Sequence, residues 1–176
     1  MSQAKYGPID QIGLVVDNLD ASIATWIATM GVGPWLVFRN VSLHGDYRGK
    51  VGQITMDVGL SYQGDVQVEL IEVTNQAASP YRDASGQPLV GLHHLAWVVE
   101  DLDATVASAV ADGLTPVFRA ENPGTRVAYL EAAGEAGLLF EFIESPQTAA
   151  LILEGKQASR NWDGTNPIHT IDFAAG

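Results

Sequence analysis

The sequence predicts an α+β fold: two tandem β-α-β-β-β modules that join into one curved mixed sheet. Three observations predict it. The first is an internal repeat, the feature that decides architecture before any single element does. Residues 11–22 read QIGLVVDNLDAS and residues 94–105 read HLAWVVEDLDAT; Val15/Val98, Val16/Val99, Leu19/Leu102, Asp20/Asp103 and Ala21/Ala104 are identical pairs. The second is that the match recurs in the same order, with PWLVFR (34–39) echoed by PVFR (116–119), and VELIE (68–72) by FEFIE (140–144). The third is periodicity: each half has one stretch with helical spacing among several short β-rich runs.

Each element has a local reason. Residues 9–16 are β-rich and apolar and stop at Asp17-Asn18, so they form a buried strand. Asp17 or Asn18 caps the following helix, and Asp20 adds negative charge to its first turn. Over 19–30, Leu19, Ile23, Trp26, Ile27 and Met30 fall on one helical face until Gly31-Val32-Gly33-Pro34 ends it. Strands follow at about 35–39, 50–59 and 65–73, giving a first module over 8–73. The stretch 74–91 contains Pro80, Gly86 and Pro88 and reads as the connection. The second module, 92–145, repeats the order: strand 92–99, helix 101–112, strands near 115–120, 125–131 and 137–144. A C-terminal extension, 146–176, adds a helix over 147–160 and an irregular tail over 161–176, available to shape a pocket or a dimer contact. One such module leaves an apolar sheet face uncovered; pairing two closes a core and leaves a concave surface suited to a ligand.

Composition limits the function. The 176 residues are 47% apolar and 17% charged, a globular balance. There is no cysteine, which excludes a disulfide scaffold and a thiol nucleophile. No run is long and apolar enough to span a membrane, and the N-terminus MSQAKYGPID has no leader pattern, so a cytoplasmic protein without membrane partners is expected. Asp and Glu number 21 against 9 Lys and Arg, a net charge of −12. No basic face can be assembled, so nucleic acid is not a partner. The expected ligand is neutral, cationic or metal-linked.

Four polar residues stand inside these apolar strands. Gln11 opens the first strand and His94 holds its repeat position; Glu69 in VQVELIEV and Glu141 in LLFEFIE are likewise equivalent. Two symmetric pairs meeting in the cleft make a metal site of three oxygens and one nitrogen, with positions left for substrate or water. Buried carboxylates also need a cation. Glu72 and Glu144 lie three residues further on, so strand alternation sends them to the opposite face, to solvent or an interface. The same alternation turns His93 away from His94. Trp35 and Trp97 are candidates either for the pocket lining or for core packing. The segment 40–50, with His44, Asp46 and Tyr47, reads as an exposed loop in which Asp46 is a weak substrate-binding candidate. Arg39 and Arg119 are repeat-equivalent and candidates for the cleft mouth.

The repeat with this residue set resembles the vicinal oxygen chelate superfamily, which contains glyoxalase I, methylmalonyl-CoA epimerase, bleomycin-resistance proteins and extradiol dioxygenases. The resemblance spans about 8–145 and is strongest at GLHHLAWVVEDLDA and at VELIEV followed by SPY and GLHH. It implies the paired-module fold and one divalent ion per subunit (Zn, Ni, Co, Mn or Mg) on Gln11, Glu69, His94 and Glu141. The Gln/Glu/His/Glu identity is similar to one form of glyoxalase I and departs from the epimerases at its first two positions. It also implies an isomerase, epimerase or lyase that polarises a carbonyl or enolate oxygen of a small-molecule carbonyl substrate and moves an α-proton, with Glu69 or Glu141 as base, in a homodimer. The competing readings are an extradiol-type dioxygenase and a non-catalytic binding protein for a small apolar ligand.

Overall fold

The computed structural model describes residues 4–146 and 148–174. The first half runs β1 (Gln11–Val15), α1 (Leu19–Thr25, continued by a π-helical turn over Trp26–Met30), β2 (Trp35–Tyr47), β3 (Lys50–Gln63) and β4 (Val66–Val73). The second half runs β5 (Gly91–Val98), α2 (Leu102–Ala111), β6 (Thr115–Asn122), β7 (Thr125–Glu131) and β8 (Leu139–Glu144). Helix α3 (Thr148–Arg160) and strand β9 (Ile168–Asp172) follow. Gln147, which opens the helix expected over 147–160, lies outside the described residues.

One sheet of nine strands results, in the order β3-β4-β1-β5-β8-β7-β6-β2-β9, and β3 also pairs with β2, so the sheet returns on itself. The centre is symmetric. β1 and β5 pair antiparallel, each with a parallel partner on its outer side, β4 and β8. The two halves are joined a second time where His44–Tyr47 of β2 pair with Phe118–Glu121 of β6.

Period-two alternation sorts the side chains. Outward residues of the first half (Trp35, Val37, Val68, Leu70) pack with Leu19 and Ile23 of α1. Their counterparts (Ala128, Leu130, Phe142) pack with Leu102, Val106 and Ala109 of α2. Inward residues form a third cluster that includes Ile54, Ile71, Tyr81, Phe118 and Tyr129.

The helix starts repeat in detail. Asn18 caps α1 by accepting from Ala21 N (2.8 Å), and Asp101 caps α2 by accepting from Ala104 N (2.8 Å). Glu72 and Glu144 turn outward as alternation requires, yet not to bulk solvent: they accept the backbone N–H of Leu19 and of Leu102, each at 2.7 Å. A carboxylate there satisfies an unpaired helix N–H and meets the positive end of the dipole. Arg39 and Arg119 are likewise held at the helix starts, by Asp20 and Asp103; the cleft-mouth role expected of them is not what they do.

Three segments differ from expectation. β2 does not end at residue 39. A bulge between Phe38 and Val41 absorbs one extra residue, with Asn40 at φ +57°, and the strand resumes to Tyr47. His44, Asp46 and Tyr47 are therefore on a strand and not in a loop. The tail is not wholly irregular either: β9 pairs in parallel with Trp35–Arg39 along the edge of β2. Finally, β5 carries a bulge opposite Gly13/Leu14, where Gly13 pairs with His94 and Leu14 with Leu92. Its extra residue is His93.

Candidate metal centre

β1, β4, β5 and β8 are the four central strands, and each contributes one inward polar residue at the same level. Gly13 pairs with Glu69, Gly13 with His94, and Ala96 with Glu141. Gln11 precedes Gly13 by two residues and shares its face. The registers therefore bring Gln11, Glu69, His94 and Glu141 together. His94 Nε2 lies 3.2 Å from Gln11 Oε1, 3.2 Å from Glu69 Oε2 and 3.1 Å from Glu141 Oε2. The ligand atoms of Glu69, His94 and Glu141 fall within 4.8 Å of one another.

The site is deeply placed. His94 is fully buried, Glu141 is 3% and Gln11 5% exposed, and the Glu69 side chain keeps 16% of its surface. Burial pushes the Glu141 carboxyl up from its ordinary value, against the opposing pull of His94. Burial alone would deprotonate His94, but the carboxylates of Glu141 and Glu69 outweigh it and hold the imidazole up to about 10. Buried Glu141 and part-buried Glu69 thus retain a proton on the histidine between them. Glu141 Oε2 is buried and meets His94 Nε2 only as an ion pair, accepting no well-aligned hydrogen bond. A divalent cation fits this donor set: it would replace the Nε2 proton and satisfy that oxygen.

Two residues that sequence reasoning missed orient the candidate ligands. Gln67, on β4 and facing inward like Glu69, accepts from Gln11 Nε2 at 2.7 Å, while its own amide donates to the Tyr62 hydroxyl at 2.7 Å. The Gln11 amide is therefore turned with its oxygen toward His94. Burial pushes the Tyr62 hydroxyl up to about 12, so it stays protonated. On the other side, His93 Nε2 is 2.9 Å from the Pro80 carbonyl, and His93 Nδ1 is 2.9 Å from His94 Nδ1. A carbonyl only accepts, so Nε2 of His93 carries its proton. Burial, with the neighbouring His94 charge, lowers His93 to about 4 and keeps it neutral. Its Nδ1 must then accept from His94, which fixes the His94 proton on Nδ1 and directs the other nitrogen at the carboxylates. The expectation that His93 faces away fails because the bulge suspends strand alternation at that residue. Gln67 carried a readable signal, a second inward polar residue in VQVE; the bulge carried none.

Gly13 completes the arrangement. A Cβ there would stand 2.0 Å from His94 Cε1 and 2.1 Å from Nε2, so the imidazole occupies space that only glycine leaves open. Tyr129 covers the other side of the ring, with centroids 5.1 Å apart, and its hydroxyl meets that of Tyr81 at 2.9 Å.

The site opens into a cavity of about 810 Å³ lined by Gln11, Glu69 and Glu141 together with apolar residues of the barrel interior. The remaining candidates are elsewhere. Trp35 is fully buried under α1, with its indole N–H donated to the Val32 carbonyl at 2.9 Å. Trp97 packs against Tyr6, Phe140 and Phe142 on the α2 side. Both took the core alternative, because Trp35 and Trp97 stand on the strand faces that the helices cover. Asp46 accepts from Gly49 N at 2.7 Å in the β2–β3 turn and lines a separate outer groove.

Comparison with known proteins fits this geometry. The family model for the glyoxalase/bleomycin resistance protein/dioxygenase superfamily matches residues 10–129, more than half of the chain. The chain belongs to this superfamily. Two solved structures share the superfamily fold with it. One is methylmalonyl-CoA epimerase from Mycobacterium tuberculosis, at 20% identity and a TM-score of 0.55 over 85% of this chain and 96% of the other. The other is the hypothetical protein BH1468 from Bacillus halodurans C-125, at 19% identity and a TM-score of 0.53 over 78% and 94%. A search of the curated proteins found no match. No helix among the described residues is long and apolar enough to cross a membrane.

Proposed function

We propose that the chain is a divalent-metal-dependent enzyme that moves a proton α to a carbonyl group, as an isomerase, epimerase or lyase. The observation that carries the reading is the convergence of Glu69, His94 and Glu141, with Gln11, on one point at the floor of an open cavity. A divalent ion held there supplies a Lewis acid that stabilises negative charge developing on a substrate oxygen.

The residues divide the rest of the work. His94, locked by His93, and Glu141, the more buried carboxylate, are fixed ligands. Gln11 contributes a neutral oxygen held in place by Gln67. Glu69 keeps the most exposed side chain of the four and lines the cavity, so it has room to take a proton from the substrate and return it. Tyr81 and Tyr129, protonated because burial pushes both hydroxyls well up, wall the site against water. The donor set favours this reading over ring-cleaving dioxygenation, which needs a second imidazole; His93 spends one nitrogen on Pro80 and the other on His94.

The test joins metal content to proton exchange. Purified chain loaded with Mn²⁺ or Ni²⁺ is expected to hold about one ion and to catalyse solvent-deuterium incorporation into members of a carbonyl panel. Glu141→Gln should lose the ion. Glu69→Gln should retain it while losing exchange by about a hundredfold or more. A chain that takes up no divalent ion yet binds apolar compounds would instead be a binding protein.

A further inference from the structure

The walls of the cavity carry information that the ligand set does not. Building on the metal-dependent reading above, we infer that the substrate is a neutral, largely apolar carbonyl compound, and that carboxylates and coenzyme A esters are excluded.

Charge is the first argument. The ionisable carboxyl groups lining the cavity are Asp10, Glu69 and Glu141, and among the described residues no Lys or Arg lines it. The polar residues toward the outside, such as Asn40, Ser42, Asn122 and Thr125, are uncharged. Glu69 and Glu141 already balance the two charges of a divalent ion held between them, so an anionic substrate would meet the further acid Asp10 and no basic side chain in a region where solvent screens weakly.

The supply of basic side chains is the second. Of the nine, seven pair with acidic side chains, and Arg82 donates to the carbonyls of Val73, Asn75 and Gly86. Lys50, the first residue of β3, is the ninth. Phosphate groups are recognised by Arg and Lys clusters with free donors. A coenzyme A moiety reaching out of the mouth would find none assembled.

The third is what closes the cavity. The C-terminal extension contributes Leu151 and Ile152 from α3 and Phe173 from the residue after β9. Phe173 stacks on Phe38 with ring centroids 6.0 Å apart. Ser159 Oγ donates to the Tyr62 carbonyl at 2.7 Å, which ties α3 to β3. The extension is thus an apolar wall across the open end of the barrel, and it offers a ligand surface without charge. A volume of about 810 Å³ suits a compound of drug-like size.

The experiment compares three probes by calorimetry on the full chain, metal-loaded and chelator-treated: benzoin, its para-carboxylate and methylmalonyl-CoA. Benzoin should bind at least tenfold more tightly than the carboxylate, and the CoA ester should not compete with it. Leu151→Lys, at a half-exposed position, should narrow the benzoin-to-carboxylate ratio at least fivefold. Equal or tighter binding of the carboxylate or the CoA ester, or no binding of benzoin to folded protein, overturns the inference. Metal content on the same samples separates the two claims. A chain without an ion that still prefers benzoin keeps this inference and sinks the metal-dependent reading. A chain with an ion that prefers the CoA ester does the reverse.

Discussion

The two halves of the molecule agree at their helix starts and disagree at the site. Asn18 and Asp101 cap in the same way, Glu72 and Glu144 accept the same N–H at the same distance, and Arg39 and Arg119 hold equivalent aspartates. At the centre, Gly13 faces His94 while its counterpart Ala96 pairs with Gln11 and Glu141, and the bulge that brings in His93 belongs to β5 alone. A duplicated scaffold must give up part of its symmetry to gather these four polar side chains at one point. Two identical half-sites would place two side chains in the volume that one imidazole now fills. The first half yields that space with Gly13, and the second uses it.

The comparison can be broken most severely at Gly13. Gly13→Ala should destabilise the metal-free chain by about 2 kcal/mol, because the walls around His94 cannot yield, and should lower divalent-metal affinity by about a hundredfold. Ala96→Gly should cost about 1 kcal/mol through backbone entropy and leave metal affinity unchanged. Urea denaturation and Mn²⁺ titration read both; equal metal loss in the two variants would mean that His94 does not depend on Gly13.

A smaller effect is expected from the orienting residues. His93→Phe keeps the stack on Tyr81, whose centroid is 4.9 Å away, but removes the acceptor from His94. Metal affinity should fall about 10- to 100-fold, and the ¹⁵N shifts of the His94 ring should report a mixed tautomer. Gln67→Leu, which frees the Gln11 amide, should have the weaker effect, because Gln11 is a neutral ligand. A His93→Phe chain with unchanged affinity and tautomer would make His93 only a packing residue.

The smallest effect tests the agreement itself. Glu72→Gln and Glu144→Gln should each cost about 1 kcal/mol with metal affinity unaltered. The added contact of Glu144 with Arg126 is partly exposed and worth at most about 0.5 kcal/mol. Thermal melts differing by more than that equivalent would show that the helix starts have also diverged.

Much of this was legible in the residues. A repeat reports a shared fold because equivalent strands need the same inward and outward pattern, so the repeat alone pairs the positions of Gln11, Glu69, His94 and Glu141. Glu72 and Glu144 could be sent to the other face, although not to a helix N-terminus, since nothing local says that the starts of α1 and α2 pack beside these strands. The length of β2 was hidden by Asn40, which reads as a stop and acts as a bulge. The choice between pocket and core for Trp35 and Trp97 depended on which face the helices cover.

What the sequence determined by itself is periodic: two modules, their elements and the four polar positions at equivalent places. What only the tertiary structure decided comes from contacts between distant segments. The bulge on β5 places His93 behind His94, Gln67 turns Gln11, Gly13 leaves room for the ring, and α3 with Phe173 completes the cavity wall. Alternation and helical spacing are properties of neighbours along the chain, whereas tautomer, register and enclosed volume are set by atoms that the fold brings together.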